Sequence, residues 1–455
     1  MRELTRRPAV PVAAALAVAA LSLLLPWAIA FDAWSWIIWG REVTRLGLDT
    51  AGGPSWKPLS VVFTSVFALF GSIAPQLWLV AARAGGVLAL GGVAALAHRL
   101  AGPVAAAIAP LVMLVSDWWL FHTYLGNSEG MLAAAAAWAI VAHLDGRRQA
   151  ALGLGVAAGL IRPEAWPFAG LYALWAWRRG ELKLWVAAAW LVLIPLLWFG
   201  PDLTGSGGAL GASDAALAYA SPASAANAAV PLLEVWRDAG GLITVPALVA
   251  VGLGVWLGGR LDRVLFGMAC AWVLIVGVLA QAGYPGNPRY SVPAAVIACA
   301  LAGAGIARAA SRWAPGHARA AAAGGGALLV ALVLAANVGA LRDQIEGLGD
   351  RVERRRDLDT LVERNGGARA LRACAAVHTV QGMRAMVAWR LDVRMAPVSE
   401  GGDPPVVLFQ APSIYRPYEN DPAYEGVPPV PEPLAAPGFE VTDREGDWTL
   451  RAACR

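Results

Sequence analysis

The sequence predicts an all-α polytopic membrane domain followed by a small C-terminal α/β domain, and two observations carry that prediction. Over 455 residues, 58% are hydrophobic and 15% charged, with a mean hydropathy of +0.55, which is too apolar for a soluble domain of this length. After Asn337 the composition turns abruptly charged and amphipathic. The expected boundary puts the membrane domain at 1–340 and an extracytoplasmic domain at 341–455.

Apolar runs of hydrocarbon length, about 17–25 residues, lie near 9–31, 76–98, 102–118, 129–144, 183–199, 240–258, 263–282, 291–308 and 319–340. The stretch 149–178 holds two shorter spans if Arg162-Pro163 marks a broken hairpin, because Pro removes a donor and favours a turn. The expected total is therefore about eleven transmembrane helices. Positive charge concentrates on cytoplasmic loops. Arg2, Arg6 and Arg7 precede the first span, and Arg147, Arg148, Arg178, Arg179, Lys183, Arg260, Arg263, Arg308, Arg312 and Arg319 recur at alternate turns. This predicts a multi-pass cell-membrane protein with a cytoplasmic N-terminus and an extracytoplasmic tail. The first span lacks a convincing small-residue cleavage site and reads as retained.

The net charge of +4 divides unevenly: residues 1–340 hold 21 basic and 14 acidic side chains, net +7, and 341–455 hold 15 and 18, net −3. Inner loops account for the basic part, so no nucleic-acid partner is implied. Of the four cysteines, Cys270 and Cys299 lie in spans and Cys374 and Cys454 bracket the tail, where a disulfide can persist outside the cell; sequence does not decide whether that bond forms.

The outer loops are the elaborated ones. Residues 31–75 open with FDAWSWIIWGRE and continue with KPLSVVFTSVFALFG, apolar but short for a span, which predicts a helix lying in the interface or re-entering the membrane. A Gly/Ala/Ser-rich loop occupies 202–229, and a compact YPGNPRY follows. In the tail, 342–372 reads as helix, and strand-like runs at 406–409, 439–441 and 448–450 are separated by Pro-rich linkers such as VPPVPEPLAAPG.

Five groups of residues invite a chemical reading. Asp32 stands at the outer end of the first span among Trp34, Trp36 and Trp39; it is either a helix end or a catalytic acid at the lipid boundary. Glu129, in HTYLGNSEG, falls on the same face and either begins a helix or pairs functionally with Asp32, sharing a metal or dividing base and orienting roles. Arg289 and Tyr290, in PGNPRYSVP, form a tight turn or present a guanidinium to a lipid phosphate. Lys57, His122 and Arg237 read first as solvated or headgroup contacts, and Arg162 with Glu164, in GLIRPEAW, as a structural ion pair at the broken helix.

The order of these features resembles the GT-C superfamily of membrane glycosyltransferases, which includes protein O-mannosyltransferases, aminoarabinose transferases and actinobacterial arabinosyl and mannosyl transferases. The similar elements are Asp32, WKPLSVVF, FGSIAPQLWLVAARAGGVL, NSEGMLAAAAAW, GLIRPEAW and PRYSVPA, over roughly 9–310. The resemblance implies transfer of a sugar from a polyprenyl-phosphate donor to a hydroxyl of a glycan, lipid or protein acceptor on the extracytoplasmic face, with inversion. It makes Asp32 the catalytic base, Glu129 the second-loop acid, and Arg289 the cation near the donor phosphate, with Tyr290, Lys57, His122 and Trp36 as substrate contacts. Some members use a divalent metal such as Mg2+ or Mn2+, for which Asp32 and Glu129 would be the ligands. Ala33 after Asp32 departs from the paired acids of the protein O-mannosyltransferases. Two other classes compete. A transporter or flippase of lipid-linked saccharide needs a charged path across the bilayer, and in-span charges are few. A non-catalytic membrane protein with a cell-wall-binding tail needs neither acid.

Overall fold

The computed structural model describes residues 9–50, 53–205, 208, 224–374, 376–398, 406–411 and 441–453. Most of the 202–229 loop, the Pro-rich linkers of the tail, the run near Phe439 and Cys454 lie outside the described residues. The helices are, in order, α1 (Ala9–Leu21), α2 (Phe31–Thr44), α3 (Pro58–Ala68), α4 (Ala74–Leu114), α5 (Asp117–Tyr124), α6 (Glu129–Leu144), α7 (Arg148–Gly159) and α8 (Trp166–Arg178). Then come α9 (Leu184–Gly205), α10 (Pro231–Ile243), α11 (Val245–Trp256), α12 (Arg260–Gln281), α13 (Val292–Trp313), α14 (Ala318–Arg364), α15 (Gly367–Cys374) and α16 (Arg384–Arg390). Four strands complete the tail: β1 (Ala376–Thr379), β2 (Val406–Gln410), β3 (Val441–Glu445) and β4 (Trp448–Ala453). The chain packs as two compact units, one of Met1–Ser22, Leu79–Leu197 and Ser224–Leu341, the other of Leu23–Trp78, Trp198–Ala223 and Arg342–Arg455.

Among the described residues, five helices are each long and apolar enough to cross a membrane, and six if a bent pair counts as one. Several expected spans are built from shorter helices, as the hairpin at Arg162-Pro163 is from α7 and α8. The expected continuous span at 240–258 is instead bent by 91° between α10 and α11. The bend falls at Thr244, whose φ of 64° is costly for a β-branched residue.

In the first unit α13 is the central helix, with nearly all of it buried. Its small residues let other backbones come close. A Cβ at Gly305 would stand 2.1 Å from Ala250 O, and one at Gly254 would stand 2.3 Å from Leu301 O. Gly305→Ala is therefore expected to push α11 off α13 and lower stability by about 1–3 kcal/mol. Gly252→Ala, with nothing within 4 Å of the added carbon, should not; thermal unfolding in detergent separates the two.

The same unit shows what one "inner-loop" arginine does. The run 74–114 breaks at Ala101 and at Gly102, whose φ of 81° only glycine adopts cheaply, just before Pro103. That break leaves Leu100 O without a helical donor. Arg308 supplies one: its Nη2 donates to Leu100 O at 2.7 Å, and both nitrogens grip Asp262 at 2.8 and 3.1 Å. A bidentate guanidinium–carboxylate pair of this kind fixes orientation as well as distance.

The second unit combines the segment after the first apolar helix with the tail. Arg41 of α2 is 7% exposed and donates to Asp392 Oδ1 at 2.9 Å and Val393 O at 2.5 Å. Glu42 accepts from Met395 N and Asp49 N, both at 3.1 Å. The short apolar helix expected after Lys57 is α3, with Val62, Phe63 and Val66 exposed. The sheet runs β1-β2-β4-β3, with β1 parallel to β2 and the other pairs antiparallel. Phe409 and Trp448 are fully buried, and Trp448 Nε1 donates to Arg354 O of α14 at 2.8 Å.

The helix expected at 342–372 is not a separate element: α14 continues from the apolar span to Arg364, and a turn then leads to α15. Strand β1 was not anticipated. At the end of α14, Arg364 donates to both carboxylate oxygens of Asp443 at 2.7 Å, and Asn365 adds a third bond at 2.8 Å. These bonds hold the Asp443 carboxyl down at about 2. A depressed carboxyl stabilises the fold above its unfolded value, about 3.9, and loses that contribution as pH falls toward 2. Arg364→Gln should move the start of acid unfolding of the tail to higher pH, read by near-UV circular dichroism.

Candidate active site

A chain turn at Gly126, φ 75°, and Asn127 delivers Ser128 and Glu129 to the start of α6. The carboxylate stands in the first helical turn, where the dipole favours an anion. Close packing fixes the spot: a Cβ on Gly130 would fall 2.8 Å from Gly86 N of α4. His122, in the last turn of α5, reaches that turn, its Nδ1 lying 3.1 Å from Asn127 Nδ2.

Glu129 is 1% exposed, as is Glu164, and Arg162 is 2% exposed. Buried charges persist only when partnered, and here the partners converge from three chain segments. Arg162 Nη2 donates to Glu129 Oε1 at 3.2 Å, and Arg289 Nε lies 3.9 Å from the same oxygen. The Arg162 guanidinium rests on the Tyr290 ring, 3.5 Å from its centroid. Tyr290 is fixed in turn, since Trp272 Nε1 donates to its backbone oxygen at 2.8 Å and Asn287 Nδ2 to its hydroxyl at 3.3 Å. Glu164 adds a second carboxylate to the field around Arg162, and burial pushes the nearby Tyr284 hydroxyl above its ordinary value.

Glu129 and the Arg289–Tyr290 pair, two separate candidates in the sequence, thus share one cluster. In sequence Arg162 reads as half of a local pair with Glu164; Glu164 does contribute to its electrostatic field, but its hydrogen-bonded partner is Glu129, 33 residues away. The available signal was the mere presence of charge within an apolar run. Arg83 was not singled out at all: 3% exposed, it donates to Tyr124 O at 3.0 Å and Ser22 Oγ at 2.7 Å and lies over the Tyr124 ring.

In the second unit Asp32 is half-buried in the first turn of α2, with Ala30 at the capping position. It therefore meets the positive end of the helix from within the first turn, rather than capping it. Lys57 corrects an expectation. Read as solvated or bound to headgroups, it is 1% exposed, with Nζ 4.7 Å from the ring centroid of the fully buried Trp36. Trp36 is pinned edge-on to Trp78 at 5.7 Å, and its backbone oxygen accepts from Thr64 Oγ1 at 2.7 Å. Arg237, by contrast, is exposed and pairs with Glu234 on its own helix.

A divalent cation fits this donor set poorly. The Glu129 carboxylate already faces two guanidiniums, which repel a cation, and among the described residues no three His, Cys, Asp or Glu side chains gather as a metal cluster.

The crystal structure of ArnT from Cupriavidus metallidurans bound to undecaprenyl phosphate superposes with a TM-score of 0.57, at 16% identity, over 98% of both chains. This chain has the ArnT fold. The same protein in the apo state gives 0.58 at 15% identity, over 99% of this chain and 98% of that one. The likeness to ArnT is one of fold: the expected helical domain with long apolar helices and a small C-terminal sheet. No family model and no curated protein matches the sequence.

Proposed function

We propose that this protein is a membrane glycosyltransferase that moves a sugar from a polyprenyl-phosphate donor to a hydroxyl acceptor on the extracytoplasmic face, with inversion. The observation that carries the reading is the buried Glu129–Arg162–Arg289–Tyr290 cluster on an ArnT-like fold. Arg289 is its accessible member, its side chain 22% exposed against 3% for Arg162 and 1% for Glu129. A guanidinium held by a buried carboxylate, yet open to the outside, is suited to a phosphate oxygen.

In the reaction, Asp32 takes the proton of the acceptor hydroxyl while that oxygen attacks the anomeric carbon. The bond from anomeric carbon to phosphate oxygen breaks, and the polyprenyl phosphate leaves with the electron pair. Arg289 meets the growing negative charge. Glu129 and Arg162 hold Arg289 and Tyr290 in register, with His122 steadying the turn before Glu129. The N-terminus is cytoplasmic and 341–455 forms the extracytoplasmic domain.

The test is purified protein in lipid with a panel of radiolabelled polyprenyl-phosphate sugars. The reading expects release or transfer of label from at least one donor. Tight binding of donors with no turnover of any would favour a flippase.

A further inference from the structure

Within the first unit an apolar cavity of about 250 Å³ lies among α6, α7, α8, α12 and α13. Small side chains make the space: Ala139, Ala151, Gly155 and Ala169 line it together with Leu265 and Met268. A dry cavity of about 150 Å³ takes a benzene-sized guest, so this one has room for a stretch of a single hydrocarbon chain. Val264 belongs to the lining and is 50% exposed, so the cavity opens sideways on the flank of α12 where a bilayer would stand.

The two ends of the cavity differ. Toward the Glu129 cluster its wall is the stacked pair Phe168 and Trp272, with ring centroids 5.5 Å apart, and Trp272 is the residue that holds the Tyr290 backbone. The other end is polar: His143 Nδ1 lies 3.3 Å from the Tyr172 hydroxyl and 2.9 Å from Arg148 Nη1. His143 follows Glu129 on α6 at a distance of about 21 Å along the helix axis, so the polar end lies toward the opposite membrane surface.

Positive charge is left over at that end. Phe168, Tyr172, Trp175 and Arg179, spaced i, i+4, i+7 and i+11, run along one face of α8 and its C-terminal cap. The exposed Arg179 lies over the Trp175 ring, 5.9 Å from its centroid. Arg260, also exposed, opens α12 one residue before Leu261 of the lining. The carboxylates nearby are taken: Asp145 by Arg99, Glu181 by Arg148 and Asp262 by Arg308. Among the described residues no acid pairs with Arg179 or Arg260. A slot for one hydrocarbon chain, open to the bilayer and flanked at its polar end by two guanidiniums, matches a chain that ends in a phosphate.

We propose that this cavity holds one acyl chain of an anionic phospholipid, its phosphate bound by Arg179 and Arg260, in the leaflet opposite the Glu129 cluster. This lipid is distinct from the sugar donor, whose phosphate belongs at Arg289, and the inference stands whether or not the protein is a transferase. Its chain fills the space behind Phe168 and Trp272, and so backs the wall against which Tyr290 is held.

The test is native mass spectrometry of the full-length protein released from micelles, titrated with dioleoylphosphatidylglycerol, dioleoylphosphatidylcholine and undecaprenyl phosphate. The phosphatidylglycerol should bind about tenfold or more tightly than the phosphatidylcholine, whose headgroup carries no net charge. In the double variant Arg179→Gln with Arg260→Gln its affinity should fall about thirtyfold, the worth of two cations at a headgroup. Gly155→Leu fills the cavity from a position where an added Cβ meets only Ala169 Cβ, at 3.9 Å. It replaces a helix-interior glycine and should fold at least as well as the parent, losing phosphatidylglycerol while keeping undecaprenyl phosphate. Equal binding of the two phospholipids, parental affinity for phosphatidylglycerol in either variant, or loss of undecaprenyl phosphate in Gly155→Leu would overturn the proposal, the last by placing the donor's own tail in the cavity.

Discussion

Asp32→Asn is expected to lower sugar transfer by about 10²–10⁴-fold, the usual worth of a positioned general base, while donor binding survives. The amide matches the carboxylate in size and still accepts a hydrogen bond, but it cannot carry the acceptor's proton. Its structural cost is small: Asp32 sits in the first turn of α2, where losing a charge near the helix dipole costs about 0.3–1 kcal/mol. A loss of two to four decades in rate corresponds to about 3–5 kcal/mol at the transition state, so the two effects separate cleanly if unfolding and turnover are measured on the same preparation. Turnover within about threefold of the parent, well short of the loss a base would cause, would remove Asp32 from the chemistry and return it to the role of a helix end.

The features legible in the sequence were those written locally. Apolar runs announce spans without help from the rest of the chain, and Arg162-Pro163 announces its own turn. Residues 406–409, VVLF, are a short apolar run with two β-branched residues, enough to read as the strand that is β2. The misses all involve partners far away in sequence or signals that compete. The helix α14 runs through the change of composition at Asn337 because the Arg, Glu and Leu that follow are strong helix formers; charge changes there, propensity does not. The bend at Thr244 had a signal in Pro246, which suits the first turn of a helix and so marks a helix start inside an otherwise apolar run. Strand β1 is four residues, AVHT, and its edge pairing with β2 is formed 30 residues later.

The candidate site divides in the same way. Asp32, Glu129 and Arg289 are charges flanking apolar runs and were visible as such. The burial of Lys57 depends on Trp36, 21 residues before it, and the partnership of Arg162 depends on Glu129. No periodicity encodes either contact.

The buried cluster makes the second large prediction, and its arithmetic is simple. Glu129, Glu164, Arg162 and Arg289 sum to zero charge. Arg162→Met removes the 3.2 Å donor from Glu129 and leaves two carboxylates against one guanidinium; the expected loss of stability is about 3–5 kcal/mol. Glu129→Met leaves the opposite imbalance. The double variant restores neutrality with Glu164 and Arg289, so it should be more stable than Arg162→Met alone, with a coupling energy of about 2–3 kcal/mol from the four thermal unfolding curves. Additive losses would mean that the four side chains do not share one electrostatic field. The double variant also distinguishes scaffold from site. If the cluster serves only to hold α6 against its neighbours, recovering stability should recover turnover. If Glu129 and Arg162 set the position of Arg289 and Tyr290 against the donor phosphate, the double variant will be folded and inactive, because two methionines repair the charge balance without rebuilding the hydrogen bond or the guanidinium stacked on Tyr290.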